Sequence, residues 1–242
     1  MKLALIADIH ANAPALEAVL THARRQRVDV VIGLGDVVGA SALPLETIAM
    51  MRDHGIECVA GNHDLAAIGR LPLHLAGQRA REVLEWTRAL LSEEDWRFLA
   101  ELPPELAPRP EILCVHAGLG DPVAQLRTGD DFRAQARTIR QYDPRVQICC
   151  LGHTHLPGVV TVTGSEVYVD AGPIADLPAE GFHFVNPGSV GDLTMRDPRA
   201  VYATYDVTSR RVQFFRVLYD RAAILSANTR HRTTAHLLEQ MA

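Results

Sequence analysis

The chain has no apolar run approaching the ~20 residues a membrane-spanning helix needs, so no bilayer-embedded segment is expected. It has no excess of basic charge either. Its 24 Lys and Arg stand against 29 Asp and Glu, for a net charge of -5. No general field therefore draws nucleic acid to the surface, and a nucleic-acid partner is not expected. No C-x-x-C pair occurs among the four cysteines, Cys58, Cys114, Cys149 and Cys150. All lie in or beside apolar strand-like runs, which reads as reduced, buried thiols of a cytoplasmic protein rather than disulfides or a structural zinc site. The opening MKLALIADIH carries too short an apolar core for a secretory leader. Internal repeats, low-complexity tracts and long Pro/Gly linkers are missing as well, so residues 1–242 are expected to form one domain.

What is present is ordinary globular composition, 48% apolar and 22% charged, arranged in two distinct patterns. Short β-branched runs alternate with helical patterns over the first sixty residues: strand at 3–7, helix at 14–26, strand at 28–35, helix at 44–55, strand at 57–60. Such runs between helices predict parallel βαβ units in a sheet covered on both faces. A helical middle is expected at 78–100, then a strand at 111–118, a helix at 130–141 and a strand at 146–152. From 158 to 217 the pattern changes to short alternating strands joined by turns, which predicts antiparallel pairing, and a helical tail begins near 219.

Polar residues with chemical capacity follow the predicted strands one after another. Asp8 and His10 come after the first, Asp36 after the second, and Asn62, His63 and Asp64 after the third. His116 closes a fourth, and His153 and His155 follow the run ICCLG. The carboxyl ends of parallel strands line a common crevice where ligands bind, so five distant stretches would deliver Asp and His side chains to one rim. The pair in GHTH has two readings. In an extended backbone His153 and His155 face one object; in an ordinary loop they are two polar residues.

The blocks DIH (8–10), GD (35–36), GNHD (61–64), VHAG (115–118) and GHTH (152–155) occur in an order and spacing that resemble the calcineurin-like metallophosphoesterase superfamily. The stretch NPGSVGD (186–192), with DPRA (197–200), is similar to the closing part of its small bacterial phosphodiesterase-like branch. That resemblance implies an α/β fold, a four-layer αββα sandwich with two mixed sheets. It also implies two divalent ions, manganese first, with iron, zinc, nickel or cobalt as other candidates. Asp8, His10, Asp36 and His155 would hold one ion, and Asp36, Asn62, His116 and His153 the other, with Asp36 shared. Carboxylate and imidazole donors without thiolates suit such ions. Their charge would favour an anionic phosphate, and a bridging hydroxide would attack phosphorus.

Catalytic roles then fall to Asp36 and to His63, which would protonate the leaving oxygen. In the protein-phosphatase branch an acid lies three positions after the bridging Asp; here that position is Gly39, so Asp64 is either a substitute partner for His63 or a turn cap. Asn12 either touches substrate phosphate or caps the helix that Pro14 begins. His183, near the NPGS loop, has no assigned role. The absence of DRG after the GD block argues against a Ser/Thr protein phosphatase. The expected activity is hydrolysis of a small phosphodiester or monoester. A non-catalytic metal- or nucleotide-binding regulator on the same fold is the competing expectation, and the sequence does not set the oligomeric state.

Overall fold

Strand β1 (Lys2–Ile6) sends alternate side chains to two different interiors, as the two-residue period of a strand requires. Leu3 and Leu5 enter the core between two sheets, whereas Ala4 and Ile6 pack beneath helices. In this computed structural model the described residues are 1–76 and 78–241. After β1 come α1 (Ala13–Arg25), β2 (Val30–Gly33), α2 (Pro44–Asp53) and β3 (Glu57–Cys58), with the three strands parallel. There follow α3 (Asn62–Ala67), α4 (Gln78–Leu90), α5 (Glu93–Glu101), β4 (Glu105–Arg109), β5 (Ile112–Val115), α6 (Gly129–Tyr142) and β6 (Ile148–Cys150). The remaining elements are β7 (Gly158–Thr163), β8 (Glu166–Asp170), β9 (Ile174–Asp176), β10 (Phe182–Asn186), β11 (Ala200–Asp206), β12 (Arg211–Val217) and α7 (Arg221–Met241).

The strands form two mixed six-stranded sheets, ordered β3-β2-β1-β11-β12-β9 and β4-β5-β6-β10-β7-β8. Their facing sides share a core that includes Leu5, Ile32, Leu34, Cys114, Cys150, Val185 and Tyr205. The outer side of the first sheet packs on α1 and α2 through Leu16, Val19, Ile48 and Met51. The outer side of the second packs on α6 through Ala136 and Ile139. Helices, two sheets and helices again make the expected αββα sandwich.

Local chemistry accounts for several boundaries. Asn12 caps α1 and Pro14 sits in its first turn, where a missing N–H costs nothing. The expected helical middle is two helices, because Ser92 and Asp95 form a reciprocal cap that starts α5. Two elements lie outside the sequence expectations: β4 and α3. Strand β4 carries Pro108 and occupies a sheet edge, the position where a strand tolerates proline. In the 158–217 region, β10 pairs antiparallel with β7, as expected, but parallel with β6 on its other side.

Candidate metal centre

The backbone at the strand ends is the first unusual feature. Asp8, His10, Asp36, His153 and His155 all have φ between 53° and 64°. This left-handed region disfavours side chains other than glycine's by about 1–2 kcal/mol per residue. Five such residues in one place are held there by their surroundings. The amide of His10 donates to Asp36 O at 2.9 Å, and that of Asp8 to Gly35 O at 3.0 Å. The His153 amide donates to the Asp8 carboxylate at 3.0 Å, and the His63 amide to Asp36 Oδ1 at 2.9 Å. The extended reading of GHTH is thereby corrected. Both histidines kink the chain, and their rings diverge.

The divergence creates two groups. His155 Nε2 lies 3.0 Å from His10 Nε2 and 3.5 Å from Asp8 Oδ1. His153 Nδ1 lies 3.1 Å from Asn62 Oδ1, which is also 3.0 Å from His116 Nε2. Asp36 stands between the groups, 3.9 Å from His10 Nε2 and 3.5 Å from His116 Nε2. All seven residues named as ligands from the sequence are thus together, and most are fully buried. The interlock extends to glycines. A Cβ added at Gly61 would lie 2.1 Å from Asp36 Oδ1, at Gly35 2.7 Å from His116 Nδ1, and at Gly152 2.8 Å from Asp8 Oδ2.

Do these groups suit a cation? Burial, with help from His63, lowers His10 to about 4, so its ring is neutral near pH 7. Burial opposes charge on His155 too, yet hydrogen bonds to Asp192 and Asp8 raise it to about 10. The two Nε2 atoms face each other at hydrogen-bond distance. The neighbourhood favours positive charge at that point. A divalent cation placed there would gain oxygen and nitrogen ligands, and its binding would release any proton that the histidines hold. Asp8, His10 and His155, and separately Asp8, Asp36 and His116, each bring one ligand atom within 4.8 Å of the others. Burial would raise Asp36, but His116, His63 and His10 hold it well below the usual carboxylate range, so it stays ionised. The donor set and its charge fit divalent ions.

His63 sits on the same rim, its Nε2 3.9 Å from Asp36 Oδ2 and its ring edge-on to His10 with centroids 4.8 Å apart. Asp64 is not its partner. That carboxylate accepts from the Val38 and Gly61 amides at 3.0 Å each and caps the turn, while burial and then Asp36 raise it to about 7. Packing positions His63 instead: a Cβ at Gly39 would fall 2.3 Å from its Nδ1. Asn12 is corrected as a substrate contact. It is fully buried, its Oδ1 accepts from the Ala15 amide, and its Nδ2 donates to Gly191 O and Tyr219 Oη. His183 is likewise committed to the interior, bonded to Thr161 Oγ1 and Pro178 O.

Two residues absent from the sequence reading reach the centre. Asp192 Oδ2 accepts from His155 Nδ1 at 2.7 Å, and its Oδ1 accepts from both the amide and the hydroxyl of Thr194 at 2.7 Å. The Ser189 hydroxyl donates to Asp8 O and accepts from the Asp192 amide, which fastens the NPGSVGD loop to the end of β1. The signal was in the sequence, a carboxylate ending that motif. Gln125 is the second, its side-chain amide 2.5 Å from His153 Nε2. No motif marks it.

A two-sheet sandwich with Asp, Asn and His side chains converging at its strand ends defines a metallohydrolase type of fold and site. Residues 1–210 match the calcineurin-like phosphoesterase superfamily domain, and the chain belongs to that family. It is similar to the metallophosphoesterase from Sphaerobacter thermophilus, with 32% identity, 94% of this chain and 92% of that one covered, and a TM-score of 0.75. A structure of the protein PH1004 from Pyrococcus horikoshii shares the fold, with a TM-score of 0.76, 19% identity, and 96% and 93% of the two chains covered. The protein MJ0912 of Methanocaldococcus jannaschii is 28% identical over 221 residues, spanning 90% of this chain and 88% of that one. No helix among the described residues is long and apolar enough to cross a membrane.

Proposed function

We propose that this protein hydrolyses small phosphate esters, diesters before monoesters, using two divalent ions of which manganese is the first candidate. The observation that carries this reading is the pair of ligand groups joined by Asp36, 3.9 Å from His10 on one side and 3.5 Å from His116 on the other. Asp8, His10, Asp36 and His155 would hold one ion, and Asp36, Asn62, His116 and His153 the second. When bound, two such ions neutralise phosphate charge and lower the pKa of water.

The remaining work belongs to the chain. The left-handed turns at Asp8, Asp36, His153 and His155 preset the ligands, so little reorganisation accompanies loading. Asp36, ionised and buried, keeps negative charge at the point shared by both groups. His63 stands over that point with Nε2 directed to the centre and supplies a proton to the departing oxygen. No serine or cysteine nucleophile is needed, and the four free thiols are buried away from solvent. Those reduced thiols also support a cytoplasmic setting.

The test is a metal-by-substrate screen on purified protein, with diesters, cyclic nucleotides and monoesters against Mn, Fe, Co, Ni and Zn. Turnover that tracks metal content supports the reading. Stoichiometric metal with no turnover of any ester would replace it with a regulatory binder. Asp36→Asn is expected to remove ions and activity together. His63→Ala should keep the ions and lower kcat by about 100- to 10,000-fold.

A further inference from the structure

We propose that a cavity of about 490 Å3 beside the GHTH loop receives a flat, aromatic substituent of the phosphate ester. This names a substrate class for the function proposed above and rests on it. The cavity is lined by two loops that also reach the centre. Thr154, which lies between His153 and His155 in the chain, forms part of its wall. Leu126 and Arg127, the residues immediately after Gln125, whose amide touches His153, also line it. Asn186, a third lining residue, donates to Gly152 O and Thr154 Oγ1, so the loop that carries the two histidines is also a wall of the cavity.

The lining is suited to an aromatic ring. Phe132 and Phe184 meet with ring centroids 5.1 Å apart, and Phe184 is 1% exposed, so that wall is fixed. At the mouth, Leu156 and Val169 are 62% and 72% exposed, apolar surface with no cover within the described chain. The polar groups are few and mostly spent on one another: Asn186 Nδ2 donates to Thr154 Oγ1 at 3.0 Å. The exception is Arg127. Its Nε donates to Gln125 Oε1 at 3.0 Å, while its terminal nitrogens bond to no other described residue. A cation at the rim of an apolar cavity complements an ester that is anionic at one end and apolar at the other. The volume falls within the roughly 300–1,000 Å3 of small-molecule sites. A concave pocket of that size admits one small group better than the convex surface of a second copy.

Ala171 lines the cavity from an exposed position, so filling the space there leaves the core intact. The experiment measures methylphosphonate and benzylphosphonate binding to manganese-loaded protein by calorimetry, for wild type, Ala171→Phe and Leu156→Ala. Wild type should prefer benzylphosphonate by about tenfold, from burial of one ring. Ala171→Phe should erase that preference without changing methylphosphonate affinity, and Leu156→Ala should reduce it by about threefold. Equal affinity for the two ligands in wild type, or a preference surviving Ala171→Phe, overturns the assignment. So does a dimer in sedimentation that Ala171→Phe abolishes while no ligand preference exists, which would give the face to a second copy. Failure to bind either phosphonate, together with no ester turnover by the loaded protein, defeats the function itself and is distinguishable from these results.

Discussion

Replacing Asp192 by alanine should weaken one metal position and spare the other. The Asp192 carboxylate accepts from His155 Nδ1 at 2.7 Å, and the two side chains are only 13% and 22% exposed. Hydrogen bonds to charged groups contribute about 1.5–3 kcal/mol. Part of that acts on the ring's orientation and basicity, and a carboxylate behind a ligating histidine is worth about 10- to 100-fold in metal affinity. The expected loss is therefore about 1.4–2.8 kcal/mol at the ion position proposed for Asp8, His10 and His155. Asp192→Asn keeps an oxygen acceptor but loses the charge, and it should recover most of the affinity. The assay is calorimetric titration of manganese into ion-free protein, resolving two classes of site, with circular dichroism to verify folding. Unchanged affinity at both positions in a folded Asp192→Ala protein would refute the role given to this carboxylate. An equal loss at both would show that the loop acts on the whole centre rather than through His155.

Other perturbations test the frame around the site. Gly61→Ala places a methyl 2.1 Å from Asp36 Oδ1, so denaturant titration should show a loss of about 1–3 kcal/mol, together with loss of manganese binding. Arg27, just past the end of α1, has φ 55° and an exposed side chain, so Arg27→Gly should raise stability by about 0.5–1 kcal/mol in the same measurement. Thiol reagents should label none of the four cysteines in the native protein at pH 8 and all four after denaturation. Burial raises the Cys58, Cys149 and, with a hydrogen bond to Cys150 as the larger cause, the Cys114 thiol. Unfolded thiols ionise near pH 9 whereas these folded ones do not, so stability held below that pH should fall as pH rises past it in urea melts.

The parts of the structure legible in the sequence were those carried by local pattern. The apolar runs of β1, β5 and β6 each marked a buried strand, that of β2 a strand buried only in its second half, and the polar residue after each run marked the rim of the sheet. The ligand groups were legible because five blocks, each weak alone, repeated the same placement. Strand β4 escaped because Pro108 contradicts strand propensity, and only its edge position resolves the conflict. Asn12 and Asp64 had two readings each from sequence, and burial chose the structural one for both. Asp192 and Gln125 act on histidines 37 and 28 residues away, through loops whose paths no local propensity encodes. The left-handed backbone was illegible for a related reason, since nothing in Asp or His favours it strongly enough to predict.

The glycines of the centre have a consequence for how such a site can change over generations. Gly61 faces Asp36, Gly35 faces His116, and Gly152 faces Asp8, so each motif leaves room for a ligand supplied by another. A substitution in one block is felt as a collision in a second, and its remedy would have to arise in a third. The blocks can hardly drift independently, and variation that preserves chemistry is pushed outward. The loop carrying Gln125 and Arg127 makes no such closed set of contacts. New substrate preferences would be expected to arise there first, while the strand ends of the centre stay as they are.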